Sequence, residues 1–442
     1  MEPASLLEEI RFGYGPRLGM PVASGGVDAD RVLAQLNARD PDGAAWDRPT
    51  LEERYALGAI YAAEKKSAQG LSPATGQAMK QVWLDDIQSC LARPTFAGAG
   101  FVERLVNLWA NRITVSNASN TVVRFVQSFR DEAIRPFVTG NYGDMLKAAL
   151  WHPGMQYYLS QANSFGPDSV LGKRKGRGLN ENLAREFLEL HSMRTGYGQD
   201  DVTQLAMLLA GMTSDAKGNR VDPRRVQPGR KVILGQTYDD SDPEAEINRL
   251  IDHVAHRPET ARNVGFTLAR HFIADEPPAG LVDSLAAAYL AHDGDLPAVY
   301  RVLLTHPLSQ SPERQKLRSP QEFVAATLRL LGVAPGDANF PKLVRRLPVA
   351  VAAMGQPVFQ AQRPDGWPEV SEGWMTPPMM AARIDWAVDA ARMSGDRVNP
   401  LAMVDTALGD FASPLLKQSV GRAEQRWEGL AVLFGSPEFS RR

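Results

Sequence analysis

Apolar residues recur at i, i+3, i+4 and i+7 along most of this chain, and that period is the strongest constraint on its fold. It is plain in ADRVLAQLNA (29–38), LEERYALGAIYAAEKK (51–66), TGQAMKQVWLDDIQSCLA (75–92) and GFVERLVNLWANRI (100–113). It returns in GDMLKAALW (143–151), VDSLAAAYLAH (282–292), LPAVYRVLLTH (296–306), QEFVAATLRLLG (321–332) and PPMMAARIDWAVDAAR (377–392). Each segment can bury one helical stripe, and alanine and leucine dominate over β-branched runs. The expected fold class is therefore mainly α: a multi-helix globular bundle. Proline punctuates it. Pro153, Pro258, Pro307 and Pro437 are each placed to open a helix, where the missing N–H has no partner to lose.

Two stretches break the period. Residues 214–243 are rich in turn formers and hold a short β-like run, Lys231 to Leu234, which predicts a long irregular loop carrying a short β-hairpin. Residues 355–378 are rich in Pro and Gly and carry Trp367 and Trp374. These tryptophans read either as anchors pinning the loop or, with Arg383, as a stacking platform for a ligand.

With 442 residues the chain can bury a large core. A net charge of −2 gives no global footprint for nucleic acid or an anionic membrane. The single cysteine, Cys90, excludes an intramolecular disulfide and cysteine-cluster metal sites, and its amphipathic setting reads as core. No apolar run approaches a membrane span, and MEPASLLEEIRFGYGP has neither a basic nor an apolar leader region, so the expected location is the cytoplasm. No phosphate-binding glycine loop, nucleophile elbow, HExxH or EF-hand pattern is present. His253 and His256 share a face, but HxxH without a nearby glutamate does not make a metal site, and none is assigned. No cofactor is assigned either. His271 reads as a packed helix residue.

GLNENLAREFLELHSM (178–193) is the most distinctive segment. On a helical wheel Leu183, Ala184, Phe187, Leu188 and Leu190 share one arc with His191, while Glu181, Asn182, Arg185, Glu186 and Glu189 share the other. Asn180 is the natural N-cap. Glu181–Arg185 and Arg185–Glu189 are i,i+4 pairs, so the stripe can be a salt-laced solvent face. It can equally line a polar pocket, with Glu186 or Glu189 as general base and Asn180, Asn182, Arg185 and His191 as ligand-binding groups. The preceding KRKGRG (173–178) is then either a solvated basic loop or a cationic lid over that pocket.

NENLAREFLELHSMRTGYGQDDVTQLAMLLAGMT (180–213) resembles the signature of a bacterial family known as domain of unknown function 1800. The likeness continues through RFGYGP (11–16), IRPFVTGNYGDMLKAALWHPGMQYYL (134–159), HFIADEPP (271–278), KLRSPQEFV (316–324), GWPEVSEGW (366–374) and SPEFSRR (436–442). The resemblance implies one family unit over 1–442, with a helical part at 1–170, the acidic helix and irregular loop at 171–245, and a second helical part at 246–442. It brings no reaction. It implies a protein partner encoded nearby, and family members are often exported. The chain departs from the family pattern where histidines are usual: Arg112, Phe137, Gln227 and Arg257 stand there, and Thr267 replaces a usual lysine. These losses point to a diverged, non-catalytic paralogue that binds a polar, hydroxyl-rich or phosphorylated (glycan-like) small molecule. The alternatives are a hydrolase or transferase using Glu186 or Glu189, and a scaffold docking a protein through 214–243 or 355–378.

Overall fold

A computed structural model describes residues 5–20, 22, 25–37, 48–216, 218–334, 337, 340–394 and 398–442. Every segment with the helical period forms a helix there, four of them ending one or two residues early, at Arg112, Ala291, Thr305 and Leu330; Ala38 lies outside the described residues. Proline occupies the first turn of helices at Pro73, Pro153, Pro243, Pro258, Pro307, Pro320, Pro400, Pro414 and Pro437. Two of these joints share a device. His152 Nδ1 accepts from the Gly154 N–H at 3.0 Å, and His306 Nδ1 accepts from the Leu308 N–H at 3.2 Å. A histidine thus caps the orphan donors just before a proline that has none to satisfy.

The helices that position the site are α1 (Pro73–Phe96), α2 (Gly100–Arg112), α3 (Asn182–Glu186), α4 (Pro258–Phe272), α5 (Pro320–Leu330) and α6 (Pro377–Ser394). α2 and α4 run antiparallel: Arg104 meets His271 at one end, and Arg112 meets Asn263 at the other. The two contacts lie eight residues apart on each helix (104 and 112, 263 and 271), so each helix presents both of its residues from nearly the same face. One apolar core draws on both ends of the chain, from Leu7 to Phe439.

The β content is small and antiparallel. The expected hairpin pairs β3 (Lys231–Ile233) with β4 (Gln236–Tyr238). Its turn residues Leu234 (φ 51°) and Gly235 (φ 78°) are both left-handed, the conformation that matches strand twist in a two-residue hairpin. A second hairpin pairs β1 (Met212–Asp215) with β2 (Gly218–Val221), an addition to the single one expected from sequence. MTSD and GNRV are too short and too polar to give a clear alternation.

Candidate functional site

α3 continues into a π-helical turn, Phe187–His191. Asn180 Oδ1 accepts from the Asn182 N–H at 2.9 Å and so caps the start. Leu183, Ala184, Phe187, Leu188 and His191 are buried, as the wheel requires. The first half of the polar stripe is structural. Glu181 pairs with Arg185 at 3.1 Å and accepts from Thr203 at 2.7 Å and Gln199 at 3.0 Å. The second half differs. No ion pair joins Arg185 to Glu189: the switch to i→i+5 spacing at Phe187 turns Glu189 off the i+4 row. Among the described residues Glu186 and Glu189 make no hydrogen bond or ion pair, and Asn182 is exposed. Glu186 is half-buried, and its carboxyl is raised by desolvation and by the like charges of Glu189 and Asp365, against Arg185. The basic stretch is engaged elsewhere: Lys173 pairs with Asp168, while Lys175 and Arg177 lie over the Phe165 ring. His191 is fully buried, its Nδ1 has no partner among the described residues, and burial and nearby Arg112 lower its pKa to about 3.

A cleft of about 90 Å³ lies elsewhere, and the acidic helix does not line it. Its walls come from segments hundreds of residues apart. Tyr14 comes from RFGYGP, Cys90 from α1, and Asn107, Ala110 and Asn111 from α2. Thr114, Ser116 and Arg130 follow; His271 comes from α4, and Ser319, Gln321 and Glu322 from the start of α5. Trp367, Glu369 and Trp374 come from the Pro/Gly-rich loop, and Arg442 from the C-terminal segment.

The loop is fastened over α2. Asn111 Oδ1 accepts from the Trp367 N–H at 2.7 Å, and its Nδ2 donates to Trp367 O at 3.0 Å and Glu369 Oε1 at 2.9 Å. Gly366 (φ 80°) makes this approach feasible, since a Cβ there would lie 2.2 Å from Asn111 O. Lys316 Nζ donates to Glu369 O and pairs with Asp275 at 2.5 Å, and the Ser371 N–H donates to Asp275 at 2.9 Å. Ser116 Oγ donates to Ala361 O at 2.9 Å.

A buried charge chain supports the cleft floor. Arg442 Nε donates to Glu322 Oε2 at 2.9 Å, and Arg104 Nη2 donates to Glu322 Oε1 at 2.8 Å. The same Arg104 nitrogen lies 3.3 Å from His271 Nε2, and His271 Nδ1 lies 2.8 Å from Glu369 Oε2. Arginine can only donate, so Nε2 is the acceptor and the Nδ1–H donates to Glu369. Burial drives the His271 pKa down, and Arg442 and Arg104 lower it further against Glu369, to about 4. Although burial pushes the other way, the two guanidiniums hold Glu322 far below the usual carboxylate range.

A sequence profile described as "Protein of unknown function (DUF1800)" matches residues 9–441. The chain belongs to that family. No curated protein and no solved structure matches it. In this DUF1800 chain the segments that carry the resemblance divide. The opening, 271–278, 316–324, 366–374 and C-terminal segments each contribute a wall of the cleft, whereas the acidic signature packs outside it.

The other sequence-singled residues are also placed. Trp367 lines the cleft, half-buried, 6.3 Å from Trp374. Arg383 is not its companion: it is buried, lies over the Phe323 ring and donates to Arg318 O at 2.7 Å. Those two contacts turn its guanidinium toward α5 and away from the Trp367 side of the cleft. His253 bonds Tyr238 and His256 bonds its own helix carbonyl, so the HxxH pair does not converge. At the divergent positions, Arg112 bonds Asn263 at 3.2 Å, Gln227 bonds Asp168, and Arg257 pairs with Glu259. Sequence reasoning missed Arg104, Asn111, Arg130, Glu322 and Glu369. One signal was available: Arg104 falls on the apolar stripe of α2 with Phe101, Leu105 and Leu108, where a charge must have a buried partner.

Proposed function

We propose that this DUF1800 chain binds a polar small molecule, hydroxyl-rich or phosphorylated, in the cleft between α2, the start of α5 and the 355–378 loop. The observation that carries this reading is the convergence of distant segments on one cavity lined by amides, hydroxyls and an indole. Asn107, Asn111, Gln321 and Gln356 supply the amides, Thr114, Ser116 and Ser319 the hydroxyls, and Trp367 an apolar wall for a sugar face.

Binding is favoured over turnover by the state of the cleft's titratable groups. Both His271 nitrogens are engaged, one by Glu369 and one by Arg104. Glu322 is held ionised between two arginines. Neither histidine nor glutamate there is poised to exchange a proton.

Saturation-transfer NMR over polyols, monosaccharides and their phosphates tests this. Ala110→Leu fills the cleft without removing a hydrogen bond. Transfer in the wild type that Ala110→Leu abolishes is the expected result. Transfer that is absent from the wild type, or that survives the filled cleft, refutes it.

A second reading has one observation of its own. The raised pKa and unpaired state of Glu186 suit a general base at the acidic helix, in a hydrolase or transferase. Loss of a newly found activity in Glu186→Gln, with Ala110→Leu fully active, would favour it.

A further inference from the structure

We propose that the cleft ligand carries a compact oxyanion, seated on Arg130; this rests on the cleft being the binding site. Arg130 stands on a π-helical turn, Phe129–Ile134, with its side chain lining the cavity. Its partner is neutral: Nη2 donates to Asn107 Oδ1. The Asn107 amide is oriented in turn, because its Nδ2 donates to the Tyr14 hydroxyl. The guanidinium is therefore held in place by an amide, and no carboxylate is bonded to it among the described residues.

The neighbouring carboxylates are already engaged. Glu322 is shared by Arg104 and Arg442, and Asp275 is paired with Lys316. Glu369 is bonded by His271 and Asn111. On the other side, Glu103 takes both terminal nitrogens of Arg135, and Asp131 takes its Nε. Among the described residues around the cleft, Arg104, Arg442 and Lys316 are balanced by Glu322, Asp275 and Glu369, whereas Arg130 has no carboxylate of its own: Glu103, which it attracts without an ion pair, is already shared by Arg135 and Arg93. Among the described residues no ion pair joins it to a carboxylate. A half-buried guanidinium with unused donors in a walled cavity matches the paired oxygens of a phosphate, sulfate or carboxylate. A hydroxyl-rich body attached to that group would lie along Trp367 and the amides.

The test titrates glucose, glucose 6-phosphate, gluconate and inorganic phosphate into wild type, Arg130→Gln and Arg130→Lys, with Trp fluorescence and NMR as readouts. Arg130 is only half-buried, so both variants should fold, and their melting curves check this. The expected result is at least tenfold tighter binding of an anionic sugar than of glucose by wild type. Arg130→Gln should erase that preference, and Arg130→Lys should keep part of it. Preference for glucose 6-phosphate over gluconate assigns a tetrahedral group, and the reverse a planar one. Equal binding of neutral and anionic sugars, or anion binding unchanged in Arg130→Gln, overturns the inference and leaves the cleft reading standing. No binding of any probe by wild type overturns both.

Discussion

Replacing Glu322 by Gln is the sharpest test of the charge chain. The carboxylate accepts from Arg104 at 2.8 Å and Arg442 at 2.9 Å, and also from the Ser319 N–H at 2.9 Å. Its side chain is 10% exposed, and those of Arg104 and Arg442 are 1% and 4% exposed. Glutamine keeps one carbonyl oxygen but turns an NH₂ toward the other guanidinium, donor against donor. Two buried cations then share no anion. Breaking a buried pair from one side costs about 3–5 kcal/mol, since the surviving charge is uncompensated. Urea unfolding at pH 7, followed by tryptophan fluorescence, should show a loss of that size. A cycle with Arg442→Gln should return a coupling of about 1–3 kcal/mol, because the two residues share one network. The pH dependence follows from the depressed pKa. Glu322 stabilises the fold fully above its unfolded pKa, and the benefit is lost as pH falls through the lower folded value. The variant should lack that titration. A stability within about 1 kcal/mol of wild type, the usual range for an exposed pair, would refute the reasoning.

Three further outcomes are expected. His152 and His191 are buried, and desolvation first, then Arg54 and Arg112 respectively, lowers each to about 3 from 6.5. The unfolded chain takes up these protons near pH 6.5 and the folded chain only near 3. Stability should therefore be complete above pH 6.5 and fall between 6.5 and 3, by about 5 kcal/mol per histidine. His191→Gln should remove its share of that acid limb, and an unchanged limb in equilibrium denaturation would contradict this. Gly366→Ala places a Cβ 2.2 Å from Asn111 O at a φ of 80°. It should cost about 1–3 kcal/mol, red-shift the tryptophan emission as the loop lifts, and weaken any cleft ligand; wild-type emission would mean the loop is not held through this contact. Glu186→Gln removes a half-buried carboxyl raised by burial and like charges, so its melting temperature should rise slightly, by up to about 0.5 kcal/mol in stability. A fall would reveal a cation partner for Glu186.

The helices were legible because their information is local: Phe101, Leu105 and Leu108 announce a buried face within a single turn or two. The acidic stripe was legible as a helix for the same reason, but its pairing was not. A wheel assumes uniform turns, and the π-turn at Phe187–His191 separates Glu189 from Arg185. The second hairpin left no trace because its four-residue strands hold one large apolar residue each, Met212 and Val221, too few to set a period.

The cleft was hidden for a different reason. Tyr14, Asn111, His271, Glu322, Glu369 and Arg442 share no local pattern, and only tertiary packing brings them together. Each nevertheless disturbs its own segment in a way that physics penalises. Arg104 is charged on an apolar stripe, Glu322 is an acid between buried Pro320 and Phe323, and His271 is a histidine beside a core phenylalanine. An isolated buried charge is not tolerated, so each such residue implies an unseen partner of opposite sign or matching hydrogen-bonding character. The chain has several of these, in α2, α4 and α5, and they satisfy one another. Buried charges that close on themselves hold the fold. Arg130 lies at the end of that set with an amide in place of an acid, and for that reason the ligand proposed for the cleft carries an oxyanion.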